Sequence, residues 1–326
     1  MEFINVINDF GVHTLKNFRF SSGEVLDEVN VEFLTIGSPK YDKDGKISNA
    51  VVYCHGFTGD FMSIKKIQQL AKEGGPFQHG TYFFISISAL GSPGSASPSS
   101  TQLKQDFPRY DVIDMVNFQR AFLKDKFNIS HVEGLIGNSM GGFTVLTWAC
   151  EYPDEMEFVI SMVSSFKTGG QNYIIIRQVN ELLEYGIESR NKHSKPLDNR
   201  ILMLSAGINY AFAFSKKYYM DKSILSLEED ISEIEDESLY EDIFDIYYRN
   251  NALLNYDIES DLNKIKAKVL IVAINQDEFF SPETDAIPMS KLIKNSTLLI
   301  YDSFLGHVGS NEIVDYGEEI SKFLDS

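Results

Sequence analysis

The sequence predicts an α/β protein: a mostly parallel central sheet flanked by helices, carrying a helical insertion. Three observations predict it. Short apolar runs of strand length alternate with stretches of helical periodicity through both ends of the chain. Residues 132–149 read as a buried strand, a glycine-rich turn and a helix. Between about residues 165 and 261 the strand pattern lapses and only helical periodicity remains, over a span too long for an ordinary connection.

Taken in order, His13 to Phe20 and Val29 to Ile36 read as two strands around a Ser21-Ser22-Gly23 turn, an antiparallel pair at a sheet edge. Asn49 to Cys54 is a buried strand, and Ser63 to Ala71 follows as a helix. Thr81 to Ile87 is the next strand, running into a Gly-, Ser- and Pro-rich loop from Leu90 to Ser100. Val112 to Phe127 is an amphipathic helix. Glu157 to Val163 is a strand after the glycine-rich turn. The insertion carries helical patterns over Ile174 to Leu183, Arg200 to Phe214, Ile224 to Ile234 and Leu239 to Tyr248. Lys268 to Ala273 and Thr297 to Tyr301 are strands separated by a helix from Ala286 to Ile293, and Ile313 to Leu324 is a closing helix. The expected organisation is therefore a core of residues 1–164 and 262–326, with residues 165–261 as a helical lid over the carboxyl ends of the strands.

With 326 residues, 43% hydrophobic and 23% charged, the chain can bury a large core. Its formal net charge of −18 argues against nucleic acid and anionic membrane surfaces as partners, which demand basic patches. No run approaches the ~18 apolar residues of a membrane span, and the first residues lack the pattern of a signal peptide, so a cytoplasmic protein is expected. Cys54 and Cys150 read as small buried hydrophobes. The acidic runs Glu228 to Asp230 and Glu233 to Glu237 read as a solvated helix face. Neither a metal-ligand spacing nor a dinucleotide fingerprint occurs, and no cofactor is expected.

The chemistry is read from Gly137-Asn138-Ser139-Met140-Gly141, a G-x-S-x-G pattern between strand and helix. Glycines flanking the serine leave room for a sharp turn that holds Ser139 Oγ clear of the backbone. A serine hydroxyl is a weak nucleophile and needs a base, which in turn needs an acid to orient it. Asp277 lies just past the strand ending at Ala273, and His307 just past the strand ending at Tyr301. Nucleophile, acid and histidine thus follow one another at strand ends on one edge of the sheet. Glu278 and Asp302 are the rival acids. The oxyanion donors are read as the backbone N–H of Met140 and, from the loop after Cys54, that of Phe57. His55 is read as shaping that loop; His13, His79, His131 and His193 fall in contexts with no such pairing.

These residues, with several further motifs, resemble one family: the homoserine O-acetyltransferase branch of the α/β-hydrolase superfamily. The resemblance runs through Cys54-His55-Gly56-Phe57-Thr58-Gly59-Asp60, the Pro98-Ser99-Ser100 end of its loop, Phe107-Pro108 and Asp114-Met115-Val116. It continues through Asn138 to Gly142, Tyr152-Pro153-Asp154, Arg177-Gln178, Asp277 with Phe280 and Pro282, and Gly306-His307. It implies a helical lid, an acyl-serine intermediate formed at Ser139 with Asp277 and His307, and a homodimer through the lid. It also implies that Arg177 meets a substrate carboxylate, the alternative being a solvated helix charge. Two positions depart from the pattern: Asn138 stands where the family has glycine, and Val308 where it has an aspartate that meets the amino-acid substrate.

Three functions remain open at this level. The first is hydrolysis of an ester or related small-molecule acyl substrate. The second is acyl transfer from acyl-CoA to a small hydroxyl or amine. The third is a non-catalytic binding protein on the same fold.

Overall fold

Eight strands form one sheet in the computed structural model, which describes residues 7–189 and 196–326. They are β1 (Ile7–Arg19), β2 (Val25–Ile36), β3 (Ala50–Cys54), β4 (Phe83–Ile87), β5 (Val132–Asn138), β6 (Met156–Met162), β7 (Lys268–Ile274) and β8 (Ser296–Tyr301). Their spatial order is β1-β2-β4-β3-β5-β6-β7-β8. The β1–β2 hairpin is antiparallel and β2 pairs antiparallel with β4. Every other pairing is parallel, so β3 to β8 all present their carboxyl ends to one edge.

The two-residue period of the strands divides the core. Val52, Cys54, Leu135, Val159 and Ile271 face α1 (Val112–Phe127), α2 (Met140–Glu151) and α8 (Ala286–Leu292). Val51, Tyr53, Ile136, Ile160 and Val272 face the other way, towards Ile64, Ile67 and Leu70 and towards Ile320 and Phe323 of α9 (Gly317–Asp325). Both faces of the central strands are covered, which is why those runs are apolar throughout rather than alternating.

Between β6 and β7 the chain is helical: α3 (Gly170–Ser189), α4 (Pro196–Ala213), α5 (Lys216–Met220), α6 (Ile224–Ser238) and α7 (Ile243–Leu254). The entering and leaving segments meet at a neck, where Thr168 N donates to Tyr256 O at 2.7 Å and Ile258 N to Phe166 O at 2.9 Å. Past it the helices bury an apolar cluster of their own, including Val179, Leu183, Ile201 and Ile243, and Phe57 of the core packs against it.

Three segments differ from expectation. Residues 61–71 wind as a 3₁₀ helix, capped by Asp60, whose Oδ1 accepts from Met62 N at 2.7 Å. The closing helix divides into a 3₁₀ stretch, Gly306–Tyr316, and α9; the join falls at Gly317, a residue type that weakens helix interiors. On α6, Asp230 is not simply solvated: it accepts from Lys222 and from the hydroxyls of Tyr210 (2.5 Å) and Tyr218 (3.3 Å), which hold its carboxyl below the usual range. His193 lies outside the described residues. Among the described residues, no helix is long and apolar enough to cross a membrane.

Candidate active site

Ser139 stands alone between the last residue of β5 and the first of α2, with φ 55° and ψ −118°. A non-glycine residue held there carries strain of ~1–3 kcal/mol. The turn is secured by Ser139 N donating to Met162 O at 2.9 Å and Gly142 N to Ser139 O at 2.8 Å. It is also packed without clearance: a Cβ on Gly141 would stand 2.0 Å from the Cys54 carbonyl oxygen. Met140 is the first residue of α2, so its N–H has no acceptor within the helix.

His307 follows β8. Gly306 before it takes φ 59°, and a Cβ there would fall 2.6 Å from Ser215 N in the insertion, so glycine is required on both counts. His307 Nε2 lies 3.1 Å from Ser139 Oγ, and Nδ1 lies 2.8 Å from Asp277 Oδ2. The Asp277 side chain is fully buried, while His307 keeps 16% exposure. Asp277 Oδ1 accepts from the N–H groups of Phe279 (2.8 Å) and Phe280 (3.0 Å), so both carboxylate oxygens are engaged. A carboxylate only accepts, which makes Nδ1 the protonated nitrogen and turns the Nε2 lone pair to the serine. The rings of Phe279 and Phe280 flank the imidazole at 5.1 and 5.6 Å.

The structure therefore brings Ser139, Asp277 and His307 together. The rival acids are occupied elsewhere. Glu278 pairs with Lys216 at 3.1 Å. Asp302 accepts from Asn275 (2.9 Å) and Gln276 (2.8 Å), whose hydrogen bonds hold its carboxyl below the usual range.

The loop after β3 abuts the turn: a Cβ on Gly56 would lie 3.5 Å from Ser139 Cβ. His55 is locked inside it. Its Nε2 accepts from Ala89 N at 2.8 Å and its Nδ1–H donates to Gly56 O at 2.7 Å. Burial pushes its pKa down to about 4, so near neutral pH it is an uncharged structural link. Among the other histidines, His13 pairs with Asp125 at 2.7 Å and His131 with Glu157 at 3.2 Å.

Arg177 is not brought to this site by any contact it makes. It lies on the exposed face of α3 and is paired with Glu181 one turn on, the arrangement of a helix-surface charge. The arginine that does reach the site loops is Arg249 of α7, which sequence reasoning missed. Its side chain is wholly buried; Nη1 donates to Phe57 O and Nη2 to Gly91 O at 3.2 Å. Asp245, one turn earlier and also buried, accepts from Ser99 N at 2.8 Å and from the hydroxyls of Ser99 (2.5 Å) and Ser97 (3.1 Å). The only trace in sequence was two opposite charges four residues apart on α7, the spacing of an ordinary helix-surface pair, which does not mark them as buried.

Cys54 and Cys150 are free and buried, and burial pushes both thiols up to about 12. Among the described residues, no three His, Cys, Asp or Glu side chains gather as metal ligands would.

Residues 49–305 match the alpha/beta hydrolase fold family. A protein of Methanothermobacter thermautotrophicus named a probable acyltransferase is 44% identical, over 95% of this chain and 96% of its own. A homoserine O-acetyltransferase of Haemophilus influenzae is 26% identical over 93% of this chain and 94% of its own. Among solved structures, an acetylester hydrolase from Corynebacterium glutamicum superposes with a TM-score of 0.84, covering 98% of this chain and 96% of that one. At 19% identity that likeness shows the fold alone.

Proposed function

The chain belongs to the alpha/beta hydrolase fold family, and from that premise we propose that it is a serine acyl-enzyme catalyst acting on small-molecule acyl compounds through Ser139, His307 and Asp277. The observation that carries the reading is the hydrogen-bonded series from Asp277 through His307 to Ser139, at 2.8 and 3.1 Å, assembled from three separate strand ends. A silent binding protein would have no need of it.

Ser139 Oγ attacks the acyl carbonyl carbon as His307 Nε2 takes its proton. Asp277 holds the Nδ1–H tautomer and stabilises the imidazolium. The N–H groups of Met140 and Phe57 receive the oxyanion, each such donor being typically worth ~3 kcal/mol. Collapse breaks the bond to the leaving oxygen or sulfur, which takes the proton from His307 and leaves acyl-Ser139. Water then repeats the two steps and releases the acid.

Val308, 38% exposed beside the histidine, offers an ammonium group no partner, and a missing charge-assisted hydrogen bond is worth ~1.5–3 kcal/mol. Hydrolysis is therefore the first reading and transfer to homoserine is disfavoured. Transfer from acyl-CoA to another small acceptor is the second, supported by the relative named a probable acyltransferase. One experiment separates them. The protein is incubated with p-nitrophenyl acetate, or with acetyl-CoA, each with and without homoserine, following acid, free thiol and O-acetylhomoserine. We expect acid release from the ester, lost in Ser139→Ala, and little or no O-acetylhomoserine. Efficient formation of that product overturns hydrolysis in favour of transfer, and wild-type turnover in Ser139→Ala overturns the acyl-enzyme itself.

A further inference from the structure

We propose that Arg249 is the positioning residue of the oxyanion hole, acting through the backbone of Phe57. The inference rests on the reading above, in which the Phe57 N–H is one of the two oxyanion donors.

That N–H lies in the peptide plane upstream of the Phe57 Cα, and the plane downstream is linked to it through the φ and ψ of Phe57. The upstream plane contains Gly56 O, which accepts from His55 Nδ1 (2.7 Å) and from Gly59 N (3.0 Å). Both donors lie within the same short loop; His55 is tied outside it by Ala89 N (2.8 Å), which places the start of the loop and leaves the far side of Phe57 to another contact. The downstream plane contains Phe57 O, which accepts from Arg249 Nη1. Arg249 belongs to a distant helix and also lies over the Phe57 ring, its Cζ 4.8 Å from the centroid. It grips the residue by carbonyl and by side chain.

The other half of the guanidinium fork ties this loop to its neighbour. Nη2 donates to Gly91 O at 3.2 Å, in the loop after β4, with Glu241 Oε2 at 3.4 Å. That second loop is anchored independently by Asp245, through Ser97 and Ser99. One face of α7 thus holds both loops at adjacent turns. A planar fork suits this task because it can meet two carbonyls at once without losing its charge. Burying a guanidinium is expensive, and an apolar side chain would fill the same space with less loss. What an apolar residue could not do is hold two carbonyls.

The test compares Arg249→Met and Arg249→Lys with the wild type, using p-nitrophenyl acetate and a fluorophosphonate to count active sites. In Arg249→Met we expect kcat per labelled site to fall about 10²-fold, the effect of losing one oxyanion donor. KM should stay within about threefold and the pH midpoint should not move, because the pairing of His307 with Asp277 is untouched. Arg249→Lys keeps a charged donor and should regain about tenfold. A purely structural role would lower the number of labelled sites and the Tm while leaving kcat per site intact. Hydrogen exchange, read well below Tm, should quicken at residues 56–59 in Arg249→Met and stay unchanged in α1. Full kcat per site in folded Arg249→Met, a loss confined to KM, or wild-type exchange at residues 56–59 would each overturn the proposal. If Arg249→Met does not fold, Arg249→Lys carries the same readouts against the wild type, with kcat about tenfold down. Turnover that survives Ser139→Ala would sink the acyl-enzyme reading instead, and exchange at residues 56–59 would still report whether Arg249 holds Phe57.

Discussion

Replacing Asp277 by asparagine exchanges one carboxylate oxygen for an amide nitrogen, and the structure determines where that nitrogen must go. Asp277 Oδ1 accepts two backbone N–H groups, from Phe279 and Phe280. An amide nitrogen turned towards them would leave two buried donors unpaired, at about 1–3 kcal/mol each. The amide therefore keeps its oxygen on the backbone and turns its NH₂ towards His307. Nδ1, now facing a donor, must accept; the proton moves to Nε2, and the ring can no longer take the Ser139 proton. A wrong tautomer of this kind lowers turnover by ~10⁴, about 5 kcal/mol of barrier. The assay is steady-state hydrolysis of p-nitrophenyl acetate, with Glu278→Gln as the companion variant. Glu278 sits in a surface pair with Lys216, so its loss should change kcat by no more than about twofold. Comparable losses in both variants, or more than about a tenth of wild-type turnover in Asp277→Asn, would refute the tautomer argument.

Other expectations follow from the same geometry. Ser139→Gly should abolish turnover yet raise stability by about 1 kcal/mol in a urea titration, since relief of ~1–3 kcal/mol of backbone strain outweighs the ~0.5–1 kcal/mol entropy of a new glycine; a lower midpoint would mean that the turn is not strained. His55 has its pKa lowered from 6.5 to about 4, so between these values the unfolded chain binds a proton that the native protein refuses. Its contribution is present above pH 6.5 and is lost as pH falls to about 4, by up to about 3 kcal/mol, and urea titrations should show a shallower pH dependence in His55→Gln. An unchanged slope would mean that His55 does not carry the effect. Neither Cys54 nor Cys150 should react with a disulfide reagent at pH 8 until the protein is denatured, when both should; a fast-reacting native thiol would contradict their burial.

Much of the architecture was legible because it is written in local periods. The buried strands announce themselves as apolar runs, and the helix from Val112 to Phe127 has the bounds that its periodicity indicates. Serine, acid and histidine were legible because each follows a strand that could be seen. The distinction between 3₁₀ and α winding in residues 61–71 was not, since both present an apolar face at nearly the same spacing. The two arginines show the limit more sharply. Arg177 stands beside recognisable neighbours but its visible partner is Glu181, one helical turn away. Arg249 looks like any charge on a helix, and its partners are carbonyl groups of loops that carry no side-chain signal at all. A backbone acceptor leaves no trace in sequence, so a side chain whose work is to hold backbone stays hidden until the fold is known.

The long reach of these contacts also sets an order in time. The candidate nucleophile and the two proposed oxyanion amides are synthesised within the first 140 residues. Phe57 waits for Arg249, 192 positions later, and Ser139 waits for His307, 168 positions later. At ~5–20 residues per second, the loop's anchor follows the loop off the ribosome by on the order of ten seconds or more. During that interval the growing chain holds Ser139 without His307 and the Phe57 loop without Arg249. On the proposed mechanism, competence therefore waits for His307, the last of these residues to be made, and a nascent or truncated chain that has formed β3, β4 and β5 carries Ser139 without its partner.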